Sequence, residues 1–213
     1  MRKLACCFAV IFLVACSPQS DEPAVLTHSD DGTIYKNDYF QLQIKKPSSW
    51  FAQDPADTMK LNRQGAQMIA GDDKAMKNLI AESLNSSLPV LGFFKYPPGA
   101  PGKLNPNIIS VAENVGLYPG IKTGCDYLEH VRAVFNRADM AVELSDSCMA
   151  RTIGKAQLGY LELRMNLNGV AVLQQLYACI KNQHALSFTL TYFDEVSQQE
   201  VDAIFETLYL TCG

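Results

Sequence analysis

The sequence predicts an α+β domain, an α/β/α sandwich in which helices cover both faces of a mainly antiparallel sheet. Three observations favour this class. Several segments alternate apolar and polar residues, as half-buried strands do. Three other segments repeat apolar residues at helical spacing, and Asn168-Gly169 is a strong signal for a two-residue hairpin. Strands and helices in this order pack most simply as one sheet between helical layers.

The predicted strands extend along the whole domain. The first carries Phe40, Leu42 and Ile44 on one side, ends at Pro47, and precedes the single tryptophan, Trp50, which we expect to fill the core. Further strands are predicted over residues 88–96, 108–115, 140–148, 158–167, 170–181 and 185–192. The segment 170–181 is apolar on both sides, so we expect helices or loops to cover both of its faces.

Three helices are predicted between and after these strands. Residues 73–87 and 126–137 each repeat apolar side chains every three or four positions, which places them on one face. Residues 197–200 have the form of a capping box, which predicts the start of a third helix with an apolar stripe through Phe205.

The N-terminus resembles the signal of a bacterial lipoprotein. Arg2 and Lys3 precede an apolar run that ends in Leu13-Val14-Ala15-Cys16, and a polar segment follows. The run is shorter than the roughly 20 residues that a membrane-spanning helix needs, so a cleaved signal peptide over residues 1–15 is favoured. The alternative is an ordinary secretory signal in which Cys16 is incidental.

The lipoprotein resemblance implies an anchor and a location. Cys16 becomes the lipidated N-terminus and carries palmitate or similar chains, residues 16–33 form a flexible tether, and residues 34–213 form a single domain. One acyl chain holds a protein only weakly, and two or three hold it durably. Ser17 follows the cysteine, where an aspartate would resemble an inner-membrane retention signal, so we expect the outer membrane, facing the periplasm.

Composition excludes some classes of partner. Loss of Arg2 and Lys3 with the signal changes the formal net charge from −4 to −6. No basic cluster is present, and a nucleic-acid site needs clustered Lys and Arg. The sequence therefore predicts no nucleic-acid partner.

Four cysteines remain in the expected domain, Cys125, Cys148, Cys179 and Cys212. An even number in an oxidising compartment predicts two disulfides, and three pairings are possible. We favour Cys125–Cys148, which joins a helix start to the next strand, with Cys179–Cys212, which holds the last residues to the sheet. Each would stabilise the fold by about 3 kcal/mol. The spacings do not match a zinc site, so no metal is expected.

Catalytic motifs are not found in the sequence, and we expect no enzyme activity and no cofactor. There is no His-Glu-x-x-His, no Gly-x-Ser-x-Gly and no nucleotide fingerprint. A Cys125–His130 pair would offer a thiol nucleophile, but five residues is a poor spacing for facing side chains on a helix. We expect His130 to be a solvated surface residue, which leaves a hydrolase as a remote alternative.

Two loops rich in proline and glycine are candidate binding segments, residues 96–106 and 116–124. Tyr96, Leu117, Tyr118 and Ile121 are the candidate binding residues, because apolar and aromatic side chains on loops often mark interfaces. The alternative is that these side chains fold back over the edge of the sheet.

The segment from Tyr35 to Trp50 follows the pattern Tyr-x-Asn-x-x-Phe-x-Leu-x-Ile-x-x-Pro-x-x-Trp. This opening, together with the closing three-strand meander and final amphipathic helix, resembles the PsbP-like family, over about residues 35–210. That family includes the photosystem II protein PsbP, a Ran-binding nuclear import factor and bacterial lipoproteins. The resemblance implies an α/β/α sandwich and a binding or assembly role.

Two functions are therefore expected. The first is a non-catalytic envelope lipoprotein that binds another envelope protein or supports its assembly or maintenance. The second is a binder of a small apolar or lipidic ligand held between the sheet and a helix, which a continuous pocket beneath the 126–137 helix would favour.

Overall fold

The computed structural model of the protein describes residues 27–138 and 141–212. The predicted signal peptide, Cys16 and most of the tether lie outside the described residues. The strands are β1 (Thr27–His28), β2 (Ile34–Asn37), β3 (Leu42–Lys45), β4 (Phe51–Ala52), β5 (Ser87–Phe94), β6 (Asn107–Asn114), β7 (Val142–Leu144), β8 (Met149–Ile153), β9 (Ala156–Leu167), β10 (Val170–Lys181) and β11 (His184–Tyr192). The helices are α1 (Pro55–Ala70), α2 (Lys74–Asn85), α3 (Gly124–Arg137) and α4 (Glu195–Phe205).

Eight strands form one antiparallel sheet in the order β4-β5-β6-β11-β10-β9-β7, with β8 also paired to β9. Strands β1, β2 and β3 form a separate three-stranded antiparallel ribbon. The predicted α+β class and the mainly antiparallel sheet are confirmed. The predicted first strand, however, belongs to the ribbon and not to the large sheet.

The β9–β10 hairpin turns at the predicted dipeptide. Leu167 pairs with Val170, and the two residues between them have positive φ, 53° at Asn168 and 85° at Gly169. Both values suit the tight turn that joins strands of right-handed twist. The long strand β10 then pairs with β9 on one side and β11 on the other, as expected for the centre of a sheet.

One face of the large sheet is covered by α4 together with the β1–β3 ribbon. Phe205 of α4 packs its ring 4.6 Å from Tyr177 and 5.2 Å from Phe188 of the sheet, measured between centroids. Tyr35 of the ribbon lies 4.9 Å from Phe93. Phe40, Ile44 and Trp50 are buried in the same cluster, so the predicted role of the tryptophan is confirmed. We call this the packed face.

The opposite face carries the other three helices. A side chain at Gly92 of β5 would meet Thr58 of α1, which places α1 on this face. Leu128 of α3 packs on Leu161, Leu176 and Ala178 of β9 and β10. We call this the helical face. Helices therefore lie on both sides of the sheet, as predicted.

Two helix starts differ from the sequence predictions. Helix α1 was not predicted, although Asp54 caps it and Pro55 occupies its first turn, a combination typical of a helix start. Helix α4 begins at Glu195, because Asp194 and Ser197 form the capping box there. The predicted box over residues 197–200 is therefore wrong by three positions. The reason is that Ser197 serves as the third helical residue and not as the cap.

The favoured disulfide pairing is confirmed. Cys125 in the first turn of α3 is bonded to Cys148, next to β8, and their Cα atoms are 5.5 Å apart. Cys179 of β10 is bonded to Cys212 near the C-terminus, with Cα atoms 6.0 Å apart. One bridge holds a helix of the helical face, and the other holds the chain end beyond α4.

Candidate ligand-binding cleft

The helical face is divided because its helices cover different parts of the sheet. The α1–α2 pair packs on β5, and α3 packs on β9 and β10. Strands β6 and β11 lie between them. On this face β11 carries the short hydroxyl side chains of Ser187 and Thr189, both half-buried, which bring no large apolar group to close the gap.

A cleft of about 490 Å³ lies between the α1–α2 pair and α3. Its volume is within the range of small-molecule sites. The walls are mostly apolar: Ala66 and Ile69 of α1, Leu79, Ile80 and Leu84 of α2, Val131, Ala133, Val134 and Phe135 of α3, and Val115, Tyr118 and Ile121 of the connection that precedes α3. The polar side chains in the cleft are Glu82, Ser83, Glu113, His130 and Arg137, with the phenol of Tyr127.

Helix α3 forms one wall, and its start is fixed in three ways. Thr123 and Asp126 form a capping box, with the Thr123 hydroxyl accepting from the Asp126 backbone N–H. The Cys125–Cys148 bond joins the first turn of α3 to the residue that precedes β8. Gly124 lies so close to β10 that an added methyl group would be 1.8 Å from the Ala178 carbonyl oxygen. Only glycine allows this approach, so α3 begins directly against the sheet.

The far side of α3 carries a second set of polar contacts. Glu129 accepts from the backbone N–H of Cys148 at 3.1 Å and forms an ion pair with Arg132. The hydrogen bond from the Cys148 backbone lowers the pKa of Glu129, and the Arg132 contact adds to the shift. These contacts turn the charged side of α3 away from the cleft, toward the segment after β7.

A carboxylate lies at the sheet end of the cleft. Glu113 is on β6 and shares its face with Ile109 and Val111. The Tyr127 hydroxyl of α3 donates to Glu113 Oε2 at 2.9 Å. Burial raises the pKa of Glu113, and hydrogen bonds from Tyr127 and Ser83 oppose that shift. Burial also raises the pKa of Tyr127 well above its usual value, so the phenol stays protonated and is the donor.

The structure separates the predicted binding residues. Tyr118 and Ile121 line the cleft, whereas Leu117 beside them is 90% exposed. Tyr96 is in the other predicted loop, where its backbone N–H and C=O both bond to the Asn105 side chain at 2.9 Å. That loop follows Lys95, which pairs with Glu200 of α4 on the packed face.

The Cys125–His130 pair considered from the sequence does not provide a thiol, because Cys125 is bonded to Cys148. His130 is exposed, as expected, and in addition lines the cleft. Within residues 27–138 and 141–212, no group of three His, Cys, Asp or Glu side chains is placed to hold a metal ion. Over the same residues, no helix is both long and apolar enough to cross a membrane.

Sequence reasoning missed Glu113, Tyr127 and the contribution of α1. A signal for Glu113 was present, because an acidic residue stands on the same side of its strand as Ile109 and Val111. An acid in the apolar register of a strand is unusual unless it has partners. Tyr127 lies at helical spacing from Val131 and Val134, so it belongs to the cleft wall and not to the solvent side.

Comparisons with known proteins find likeness in structure alone. No family model matches the chain, and no curated protein matches it. One solved structure is that of a Pseudomonas aeruginosa protein of unknown function, which is 12% identical to this chain. The match covers 53% of this chain and 73% of the Pseudomonas protein, with a TM-score of 0.39. A Bacteroides thetaiotaomicron protein is 14% identical over 88% of this chain, with a TM-score of 0.43, and the chain spans 48% of its length.

A third solved structure is that of cyanobacterial PsbP (CyanoP) from Synechocystis. It is 12% identical, covers 91% of this chain and 97% of its own, and has a TM-score of 0.47. PsbP belongs to the family that the pattern of Tyr35 to Trp50 resembles.

Proposed function

We propose that this protein is a non-catalytic binding protein of the bacterial envelope that holds a small apolar or lipidic ligand in the cleft between the α1–α2 pair and α3. The observation that carries the proposal is the cleft itself. It has a volume of about 490 Å³, mostly apolar walls and a few polar groups among them. Apolar clefts with a few converging polar groups are the usual form of small-molecule sites.

The apolar residues of the cleft favour a ligand over a purely structural role. Leu79 is 44% exposed and Tyr118 is 47% exposed, although both face an apolar surface. Burying such side chains under an apolar ligand gains roughly 25 cal/mol for each Å² removed from water. An occupied cleft would therefore be more stable than an empty one.

An envelope location is part of the proposal. The lipobox-like Leu13-Val14-Ala15-Cys16 supports lipid attachment at Cys16 and a place on the outer membrane facing the periplasm. Two disulfides suit an oxidising compartment. Metabolic labelling with palmitate tests this part: the wild type takes up label and Cys16→Ser does not. Equal labelling of both forms would contradict attachment at Cys16.

Blocking the cleft tests ligand binding most simply. Ala133 is an exposed alanine of α3 that lines the cleft, and Ala133→Trp places an indole in it. Ala203 is an exposed alanine of α4 on the other side of the sheet, so Ala203→Trp is the matched control. Binding is measured by titration with an environment-sensitive apolar dye.

We expect Ala133→Trp to weaken dye binding by roughly tenfold or more, because one indole takes up much of the space that the dye needs. Ala203→Trp keeps the wild-type affinity. Circular dichroism melts check that both variants are folded. Equal affinity in the two folded variants would exclude this cleft as the binding site.

A second candidate function, docking of another envelope protein, is favoured by one observation. Leu117 is 90% exposed at the tip of the connection between β6 and α3, beside the exposed Tyr118. A photo-crosslinking residue at position 117 in intact cells tests it. A discrete protein adduct that is lost when Tyr118 is changed to Ser would support docking there. Absence of any adduct at that position would count against it.

A further inference from the structure

Glu113 holds a position in the cleft that apolar ligands alone do not explain. Its carboxylate is half-buried on β6, with α2 on one side through Ser83 and α3 on the other through Tyr127. Three elements therefore meet at one carboxylate, at the end of a cleft with apolar walls.

Within the described part of the chain, Glu113 has no ion-pair partner within 4.0 Å, although His130 lies near enough for its charge to lower the pKa of Glu113. Among residues 27–138 and 141–212, the ion pairs within 4.0 Å are Lys77–Asp72, Lys95–Glu200 and Arg132–Glu129. None of them includes Glu113. Two basic side chains, His130 and Arg137, line the same cleft but lie farther from the carboxylate than an ion pair requires.

The hydrogen bonds to Glu113 satisfy part of the carboxylate. The Tyr127 hydroxyl donates to it at 2.9 Å, the Ser83 side chain lies near enough to lower its pKa, and a carboxylate has about four acceptor positions. A neutral side chain such as Gln would also accept from Tyr127, although the bond would be weaker. The remaining acceptor capacity is open to a ligand, and the negative charge, which His130 offsets only from beyond ion-pair distance, can still attract a cation.

Three classes of apolar ligand behave differently at this site. A fatty acid would bring a second carboxylate close to Glu113, which repels it. A hydrocarbon would cover the charge of Glu113 without compensating it, at a cost in desolvation, and an alcohol could donate one hydrogen bond but would leave the charge unneutralised. An alkylammonium ion would donate hydrogen bonds and neutralise the charge in surroundings where charge pairs are strong.

We propose that the cleft selects amphiphiles that carry an ammonium group, with the ammonium bound at Glu113 and the apolar chain lying along α3. This inference rests on the proposed function of the cleft. The α3 residues in the wall run from Tyr127 to Arg137, about 15 Å along the helix axis. The rings of Tyr118 and Tyr127 line the same cleft, and aromatic faces attract cations at close range.

The test compares three probes with the same chain and different head groups. Octylammonium, 1-octanol and octanoate are titrated by calorimetry into the wild-type domain and into Glu113→Gln, below the concentrations at which they aggregate. We expect the wild type to bind octylammonium roughly tenfold more tightly than 1-octanol, which is modest for a partly buried charge pair. We expect octanoate to bind most weakly.

In Glu113→Gln the preference for octylammonium over 1-octanol should fall to less than about threefold, because the charge that selects the ammonium is gone. The matched control is Glu82→Gln, which removes an exposed carboxylate from the same cleft and keeps the preference. Thermal melts confirm that both variants are folded. A second comparison, at high salt, should reduce the preference only in part, because a partly buried pair is weakly screened.

The outcomes separate the inference from the proposed function. If none of the three probes binds, the proposed function fails. If all three bind with similar affinity, or if Glu113→Gln keeps the ammonium preference, the cleft is a site but the role of Glu113 is wrong. If octanoate binds most tightly, a basic group such as His130 or Arg137 selects the head group and the inference is overturned.

Discussion

The two faces of the sheet are built differently. On the packed face, α4 and the ribbon cover the strands with large side chains that exclude water, among them Phe40, Phe188 and Phe205, each at most 1% exposed. On the helical face, α1–α2 and α3 stand apart and leave a cleft whose apolar lining is mostly half-buried, with Leu79 and Tyr118 exposed. The packed face is therefore the more completely buried of the two, and the helical face leaves apolar side chains in contact with an open cleft.

The same substitution on the two faces should show the largest difference. Leu190→Ala removes a side chain that is fully buried on the packed face and should cost about 2–5 kcal/mol of unfolding free energy. Leu79→Ala in the cleft wall removes one that is 44% exposed and should cost less than about 1 kcal/mol. Urea denaturation measures both. Similar costs for the two changes would mean that the cleft is closed in solution.

The two disulfides allow a second comparison of the faces, because one holds α3 and the other holds the residues that follow α4. Replacing Cys125 and Cys148 by Ser, or Cys179 and Cys212 by Ser, opens loops of 23 and 33 residues, and each change should cost about 3 kcal/mol. Only the first pair holds α3, so only the first change should weaken binding of an apolar dye. Equal loss of affinity in both double variants would show that the cleft depends on the whole fold and not on the anchored start of α3.

A smaller effect is expected at the hydrogen bond that joins the two sides of the cleft. Tyr127→Phe removes the donor to Glu113 and should cost about 2 kcal/mol, as loss of a bond to a charged group does. Tyr118→Phe is the control, because Tyr118 is 47% exposed, and it should change stability by less than about 0.5 kcal/mol. Thermal melts of both variants make the comparison, and equal melting temperatures would contradict the importance of this bond.

The smallest effect is one of pH. Burial raises the folded-state pKa of Glu113 above its usual value of 4.5, so the folded state binds the proton more tightly than the unfolded state. The wild type therefore loses stability as pH rises from 4.5 through the folded pKa of Glu113. Glu113→Gln lacks this loss.

The melting temperature of Glu113→Gln relative to the wild type should accordingly rise over that pH range and then become constant. Burial outweighs the hydrogen bond from Tyr127 and the charge of His130, both of which lower the pKa of Glu113, and the net shift is upward. A difference that does not change with pH would show that the burial of Glu113 is unimportant.

The packed face was the easier one to predict from sequence. Alternation at Phe40, Leu42 and Ile44, the Asn168-Gly169 turn and the stripe through Phe205 are local signals, and the structure contains the elements they predict. The favoured disulfide pairing, chosen from three possibilities on the order of the elements, is also present, with one bridge on each face.

The cleft could not be predicted in the same way, because it is a gap between elements. It depends on α1, which the prediction lacked although Asp54 and Pro55 gave a start signal. It also depends on the distance between α3 and the α1–α2 pair, which pack on different strands of the sheet. Tyr118 and Ile121 were selected as exposed loop residues, but their place in the wall follows from packing that no local pattern encodes.

The most direct measurement of the central claim is a methyl NMR titration of the folded domain with octylammonium. We predict shifts for Ile69, Ile80 and Val134, which line the cleft, and none for Ile108, Leu158 or Leu190 in the packed face. Shifts centred on the packed face, or no saturable shifts at any methyl group, would contradict the account of the helical face as a binding site.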